Sequence, residues 1–159
     1  MRTDELVQHR VHHAYWDQEW NCAVTTLRIL AELSCTTLDQ QILDAAVGMH
    51  GGGGYRAQCG LVEGGLMFIG ILGKGRGMSD DAVVQVCYSF AQAFERTFGS
   101  LLCRELRPEG FSKDNPSHLC EELTRRAILF DIEFLTGRLS GREQEEVVEE
   151  GSVSSASPP

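Results

Sequence analysis

Residues 50–70, HGGGGYRAQCGLVEGGLMFIG, contain eight glycines around a single cysteine, and this stretch restricts the fold more than any other. Four consecutive glycines, Gly51–Gly54, interrupt any helix, because each glycine costs a helix about 1 kcal/mol relative to alanine. The segment from Cys59 to Ile71 is long enough for a helix and is apolar nearly all round, which is typical of a helix at the centre of a domain. We therefore expect a glycine-rich loop followed by a central buried helix.

The rest of the chain also has the hydrophobic periodicity of helices. No segment shows the strict alternation of apolar and polar residues that is typical of a half-buried strand. A short helix is expected around Cys103, where Gly99 breaks the preceding pattern and Gly110 follows. The longer helical patterns cover residues 15–33, 38–49, 79–98 and 117–137. The predicted fold class is all-α, a compact bundle of about five helices.

These helices belong to one cysteine-bearing domain over residues 15–138, because 159 residues suffice for one hydrophobic core but not for two ordinary ones. Residues 1–14 are polar and charged, and we expect them to form an extension before the domain. Residues 139–159 are acidic and then rich in serine and proline, a composition typical of a disordered tail.

The net charge of −9 limits the classes of partner. Five glutamates and one arginine beyond Gly141 contribute −4 of it, and the remainder of the chain has no basic stripe. Binding to nucleic acid is not expected, because that affinity depends on neutralising phosphates. No apolar run approaches the ~20 residues of a membrane-spanning helix, and the N-terminus lacks a secretory hydrophobic region. We expect no membrane insertion and a cytoplasmic location.

The six cysteines are the main candidates for chemistry, and in a cytoplasmic protein they favour metal binding or redox chemistry over structural disulfides. Cys59, Cys103 and Cys120 lie near predicted helix starts, and Cys22 lies on or beside the core face of the first helix. Four inward-facing cysteines suit a tetrahedral zinc site or an iron–sulfur cluster. Their separations along the chain are wide, so the spacing by itself is only weak evidence for a site.

The other two cysteines have simpler interpretations. Cys87 shares an apolar helix face with Phe90 and Phe94, which is typical of a buried cysteine acting as a small hydrophobe. Cys35 lies in a turn after the first helix and has no predicted chemical role.

Cys59 is the most suggestive of the four, because a helix that begins there directs unpaired backbone N–H groups and the positive end of the helix dipole at its sulfur. Such surroundings stabilise the thiolate, which is the nucleophilic and metal-binding form. Gly60 and Gly64 would share one helix face and leave room for a cofactor or, equally well, for close helix packing. Arg56 places a cation three residues before the sulfur, where it can stabilise a thiolate or an anionic cluster, or simply lie on the surface.

Four segments carry a resemblance to a known family: NCAVTTLRIL, GGGGYRAQCGLVEGG, FERTFGSLLCREL and HLCEEL. They occur in the order found in the redox-active family named for its C_GCAxxG_C_C pattern, which the chain resembles from about residue 15 to residue 135. By position, the four family cysteines correspond to Cys22, Cys59, Cys103 and Cys120. One departure is Leu61, where the family pattern has alanine, and this larger side chain alters the shape of any pocket beside Cys59.

The family domain is similar to the C-terminal part of split-Soret cytochrome c, and that resemblance implies an iron–sulfur cluster on the four cysteines, with [2Fe–2S] favoured. It also implies electron transfer with a redox partner protein, and a homodimer. Two other hypotheses remain open at this point. One is a structural protein that binds zinc or no metal, and the other is a thiol–disulfide enzyme that uses Cys59 as its activated thiolate.

Overall fold

The computed structural model describes residues 2–107, 109–111 and 117–139. Within these ranges the chain forms seven right-handed α-helices, and a 3-10 turn at Ser117–Cys120 leads into the last of them. The helices are α1 (Thr3–Trp16), α2 (Cys22–Leu33), α3 (Gln40–Ala46), α4 (Gly60–Gly75), α5 (Asp80–Phe98), α6 (Cys103–Leu106) and α7 (Glu121–Leu139). In the part of the chain that is described there is no β-strand, and the prediction of an all-α fold is confirmed.

The pattern predicted as one helix over residues 15–33 is divided in two, and the prediction of a single helix there was wrong. Helix α1 ends at Trp16, and α2 begins at Cys22 after Asn21, whose side chain caps it. The apolar spacing continues across the gap through Trp20, so periodicity alone did not show the break. The cap supplies the physical reason, because an asparagine oxygen satisfies a backbone N–H that the new helix would otherwise leave unpaired.

Helix α4 lies at the centre of the bundle, as predicted, and packs against α2 on one side and α5 on the other. Its glycines permit the close approach. A Cβ atom at Gly64 would lie 2.9 Å from the carbonyl oxygen of Ala23 in α2, and one at Gly65 would lie 2.5 Å from Cζ of Phe90 in α5. The faces of α4 that contact neither helix are half-buried, so the helix is less completely enclosed than its composition suggests.

Aromatic side chains fill the contact between α5 and α7. Phe90 is almost completely buried, and its ring centroid lies 5.7 Å from that of Phe130 and 5.3 Å from that of Phe134. Phe94 packs edge-on against Phe130 at 5.7 Å. Edge-to-face pairs of this kind contribute about 0.5–1.5 kcal/mol each beyond the burial of their area. This cluster fixes α7, the helix that begins directly after Cys120.

The first residues belong to the folded domain, which corrects the prediction of a polar extension over residues 1–14. Helix α1 buries Val7, Val11 and Ala14 completely or almost so, and it packs against α7 and α2. These three residues share one helix face, and the charged residues between them concealed that face in the sequence. The predicted tail over 139–159 lies outside the described residues from residue 140 onward.

Within the described ranges, no helix combines the length and the apolar character that crossing a bilayer requires.

Candidate four-cysteine site

The four cysteines that the sequence singled out line one cavity of about 600 Å³. Cys22 is the first residue of α2, Cys59 is the N-cap of α4, Cys103 is the first residue of α6, and Cys120 ends the 3-10 turn before α7. Four elements far apart in the sequence therefore each present one thiol at the start of a helix. Their convergence comes from the tertiary packing, because the chain separations between them are wide.

A short stretch of paired backbone holds Cys59 beside Cys103. The Cys59 N–H donates to the Leu101 carbonyl at 2.8 Å, and the Cys103 N–H donates to the Ala57 carbonyl at 2.7 Å. An isolated antiparallel bridge joins Gln58 to Leu102 between these two bonds. The loop before α4 and the loop before α6 are thereby fixed to each other, and their cysteines with them. No alternating pattern accompanies this pairing, so it could not be predicted from the sequence.

Asn21 fixes the position of Cys22. Its side-chain oxygen accepts a hydrogen bond from the Val24 N–H at 3.0 Å and caps α2. Its side-chain nitrogen donates to the Val47 carbonyl at 2.9 Å, which ties the cap to the segment after α3. A residue that holds both a helix start and a neighbouring loop positions the first thiol of that helix more firmly than the cap alone.

The four-glycine run adopts a left-handed turn, with φ of 59° at Gly51, 57° at Gly52, 75° at Gly53 and 73° at Gly54. Residues other than glycine rarely adopt these backbone angles, which explains why the run consists of glycine. Space is also restricted at Gly51, where an added Cβ would lie 3.3 Å from the Cys103 sulfur. The glycine run thus forms one wall of the cavity.

Two further glycines, Gly60 and Gly64, were predicted to accommodate a cofactor or a close helix contact. Neither lines the cavity. A Cβ at Gly60 would lie 2.2 Å from the Cys22 sulfur, and a Cβ at Gly64 would meet Ala23 and Thr26 of α2. Gly60 therefore gives the Cys22 sulfur its space, whereas Gly64 permits the close crossing of α2 and α4.

Burial dominates the acid–base properties of the thiols. It raises the pKa of Cys22 far above its usual range, and negative charge on Cys59, Cys120 or Cys103 would raise it further. The same cause raises the pKa of Cys59 to about 12. Charges on Cys103 and Cys120 also raise the pKa of Cys59, and the two interact with each other. All four sulfurs are therefore within electrostatic range of one another.

The start of α4 stabilises the Cys59 thiolate as expected, but burial of the side chain has a larger opposite effect, so the pKa of Cys59 is raised overall. The N–H groups of Leu61 and Val62 lower the pKa of Cys59, as predicted for a helix start. The desolvation of a side chain that is only 5% exposed is the larger effect. Without a cation in the cavity, Cys59 is a neutral thiol at physiological pH.

Two arginines approach the thiols from the open side of the cavity. Burial raises the pKa of Cys103 and Cys120, and the positive charge of Arg107 partly offsets this for both, with Arg56 also acting on Cys103. Nη1 of Arg107 lies 3.7 Å from the Cys120 sulfur. The guanidinium carbons of Arg56 and Arg107 lie 4.2 Å and 4.9 Å from the ring centroid of Phe111.

Several of these residues were missed in the sequence. Arg107 follows Cys103 by four residues, one helical turn, and that spacing was the available indication of its role. Tyr15 lines the cavity and its hydroxyl lies 2.8 Å from Oγ1 of Thr124, an arrangement that joins α1 to α7. Burial raises the pKa of Tyr15 above its usual range, so its hydroxyl stays protonated. Leu61, the departure from the family pattern, also lines the cavity and is almost fully buried.

The two remaining cysteines are outside the cavity lining. Cys87 is half-buried on α5 and its sulfur lies 4.0 Å from the Leu66 carbonyl, while Cys35 is exposed in the turn after α2. Within the described ranges, no three His, Cys, Asp or Glu side chains are grouped closely enough to hold a single metal ion. The four thiols are thus arranged around a cavity and do not converge on one point.

The fold and the site define a class: an all-α protein in which four cysteines from four helix starts line a common cavity. The family model described as "Putative redox-active protein (C_GCAxxG_C_C)" matches residues 20–132, which is more than two thirds of the chain. The chain belongs to that family. No curated protein and no solved structure matches it.

Proposed function

We propose that Cys22, Cys59, Cys103 and Cys120 hold an iron–sulfur cluster, with [2Fe–2S] the simplest, and that the protein transfers electrons. One observation carries this proposal: all four thiols line the same cavity of about 600 Å³. Four cysteine thiolates are the usual ligand set of both [2Fe–2S] and [4Fe–4S] clusters. The donor chemistry of the cavity therefore fits such a group.

The size of the cavity favours a cluster over a structural zinc ion. Structural zinc sites are closed, with four ligands about 2.0–2.3 Å from one point. The thiols here surround a space many times larger than an ion, and as placed they do not form such a group. A cluster with bridging sulfides spans more of that space than a single ion does, which supports a cluster as the occupant.

The charges of the site support an anionic group. A cluster held by four thiolates carries net negative charge, and burying that charge is costly unless cations or N–H groups compensate for it. Arg107 lies beside the Cys120 sulfur, and the N–H groups of Leu61 and Val62 point at Cys59. These groups would moderate the charge, and when bound the cluster would supply one-electron redox chemistry whose potential depends on burial and on hydrogen bonds to sulfur.

The thiol–disulfide hypothesis has less support. An attacking cysteine works best when it is exposed and its pKa is near the ambient pH. Cys59 is 5% exposed and its pKa is raised to about 12, so only a very small fraction is thiolate at neutral pH. A raised thiol pKa hinders metal binding less than it hinders nucleophilic attack, because an incoming cation displaces the proton from each thiol.

As an electron carrier the protein requires a redox partner protein, and we propose that the partner approaches from the side of the cavity where aromatic residues are exposed. Tyr55 is 84% exposed between the cavity-lining residues Gly54 and Arg56, and Phe111 is exposed at the same opening. Aromatic residues are enriched at protein interfaces. The predicted homodimer also remains a proposal, and its test is the mass of the protein in solution.

Anaerobic reconstitution of single-cysteine variants tests the ligand set. The wild-type chain is expected to take up about two irons and two sulfides, as a [2Fe–2S] cluster requires, and to show the visible bands of thiolate-to-iron charge transfer. Replacing Cys22, Cys59, Cys103 or Cys120 by alanine should abolish or strongly reduce both. Matched controls are Cys35→Ala and Cys87→Ala, which remove a thiol outside the cavity and should change neither. Retention of the full iron content and spectrum in Cys59→Ala would contradict the proposed ligand set.

A further inference from the structure

We infer that the four-cysteine cavity also contains a binding site for a small organic monocarboxylate with an apolar body, and that Arg56 is the residue that receives its carboxylate. This inference goes beyond the proposed cluster. It rests on the proposed function only in treating the carboxylate as a molecule that meets the redox centre, since the binding itself needs no cluster.

The cavity has space for a small molecule beside a cluster. At about 30 Å³ per heavy atom, the share of one water molecule in the liquid, the four atoms of a [2Fe–2S] core take up about 120 Å³ and the eight of a [4Fe–4S] core about 240 Å³. The cavity measures about 600 Å³. More than half of it therefore remains, and cavities of about 300–1,000 Å³ are typical of small-molecule sites.

Arg56 is exposed, and its guanidinium has unused hydrogen-bonding capacity. Its guanidinium stacks on the ring of Phe111, and among the described residues it has no hydrogen-bond or ion-pair partner. Arg107 differs, because it donates to the Gly110 carbonyl at 3.1 Å and lies beside the Cys120 sulfur. The charges of both arginines act on Cys103, but only Arg56 has guanidinium donors without a partner among the described residues, and these are available to an incoming anion.

The backbone of Arg56 is held in place at an energetic cost. Arg56 has φ of 64°, a left-handed conformation that is uncommon outside glycine. Its carbonyl accepts a hydrogen bond from the Arg104 N–H at 3.3 Å, and the next residue, Ala57, donates to the Gly51 carbonyl at 3.0 Å. Such conformations persist where the surrounding structure over-determines them, and they occur often at ligand-binding positions.

The lining selects the class of ligand. A guanidinium offers a planar pair of donors that matches a carboxylate. Tyr15, Trp20, Leu61 and Phe111 line the same cavity and provide apolar surface for the body of the ligand. The exposed carboxylate of Glu19 also lines the cavity, and it would repel a dianion such as phosphate more strongly than a monoanion. A monocarboxylate with an apolar body matches the guanidinium, packs against the apolar lining and carries only one negative charge.

Calorimetric titration with benzoate, and with benzamide as its neutral isostere, tests the inference. Both ligands present the same ring, so the difference between them isolates the charge. We expect benzoate to bind the wild-type protein up to about fivefold more tightly than benzamide, because Arg56 is exposed and a solvent-screened ion pair contributes about 0.2–1 kcal/mol. The titrations are made on the cluster-loaded and on the metal-free protein.

Arg56→Gln is the decisive variant, and Arg104→Gln is its matched control. Arg104 is exposed, adjoins Cys103 and is outside the cavity lining, so its substitution removes the same charge from nearly the same region. Benzoate binding should fall to the level of benzamide in Arg56→Gln and stay unchanged in Arg104→Gln. The inference is overturned if benzoate and benzamide bind alike, if neither binds, or if both variants lose benzoate equally.

The experiments give different results if the cluster proposal is wrong and if the carboxylate site is wrong. A chain that takes up no iron and sulfide contradicts the cluster, yet the titration of the metal-free protein still reports on Arg56. A loaded chain with full visible absorbance that does not distinguish benzoate from benzamide keeps the cluster and removes the carboxylate site.

Discussion

The crossing of α2 and α4 sets the geometry of the site, and substituting Gly64 by alanine tests it. The new Cβ would lie 2.9 Å from the Ala23 carbonyl oxygen and 2.9 Å from Cβ of Thr26. Ordinary carbon contacts begin near 3.5 Å, so the two helices must separate by about half an ångström or more. Cys22, at the first turn of α2, would move away from Cys59.

The free-energy change can be worked out against a control in the same helix. Alanine at Gly70 meets nothing within 4 Å, so Gly70→Ala should stabilise the protein by about 1 kcal/mol through helix propensity alone. Gly64→Ala has the same propensity gain but adds an overpacking cost of about 1–3 kcal/mol. The free energy of unfolding of Gly64→Ala should therefore lie about 1–3 kcal/mol below that of Gly70→Ala.

Urea denaturation followed by circular dichroism measures both variants, and iron content after reconstitution reports on the site. We expect Gly64→Ala to be the less stable variant and to retain less iron, and Gly70→Ala to match or exceed the wild type in both respects. Equal stabilities of the two variants would refute the close crossing of α2 and α4 that the site geometry depends on.

Three further predictions concern single residues. Burial raises the pKa of Asp131, which has no hydrogen-bond partner among the described residues, so this carboxyl is protonated in the folded state and ionised in the unfolded state, and the stability of the protein falls as pH rises above about 4. In urea denaturation at pH 7, Asp131→Asn should therefore be more stable than the wild type, and the difference should shrink toward pH 4. A stability difference that does not change with pH would contradict this. Burial raises the pKa of Cys59 from 9.0 to about 12 in the folded state, so between these pH values the free energy of unfolding of the metal-free wild type should fall by about 1.4 kcal/mol per pH unit more than that of Cys59→Ala. Parallel pH profiles of the two proteins would be inconsistent with a buried neutral thiol. Asn21→Ala should cost about 1 kcal/mol in thermal unfolding because the Val24 N–H loses its cap. Asn21→Ser keeps a capping oxygen, loses the same side-chain bonds to the Ala46 and Val47 carbonyls as Asn21→Ala does, and should recover part of that loss; equal melting temperatures of the two variants would exclude the cap.

The helices could be predicted from the sequence because their signals are local. Ser79 caps α5 by accepting from the Ala82 N–H at 3.2 Å, and Gly99 ends that helix with φ of 90°, as residue types alone suggested. The start of α4 at Cys59 was likewise close to its predicted position, and the helix predicted to open at Ser117 begins there as a 3-10 turn that continues into α7 at Glu121. The break at Asn21 was missed because apolar residues on both sides keep helical spacing.

The convergence of the cysteines had a different basis. Separations of 37, 44 and 17 residues between successive cysteines do not show that their thiols meet. Their places in the predicted helices singled out these four, and the resemblance to the C_GCAxxG_C_C family assigned them to one site. The backbone pairing that places Cys59 beside Cys103 is a tertiary contact of a few hydrogen bonds. The role of Phe111 between two arginines likewise depends on how separate loops meet, which periodicity does not encode.

The metal and sulfide content of protein purified without oxygen tests most directly whether the four thiols hold an iron–sulfur cluster. We expect iron and acid-labile sulfide in equal amounts, about two of each per chain for [2Fe–2S], with charge-transfer bands in the visible spectrum that dithionite bleaches. Zinc without sulfide, or a colourless metal-free protein with four titratable thiols that takes up no iron on reconstitution, would contradict it.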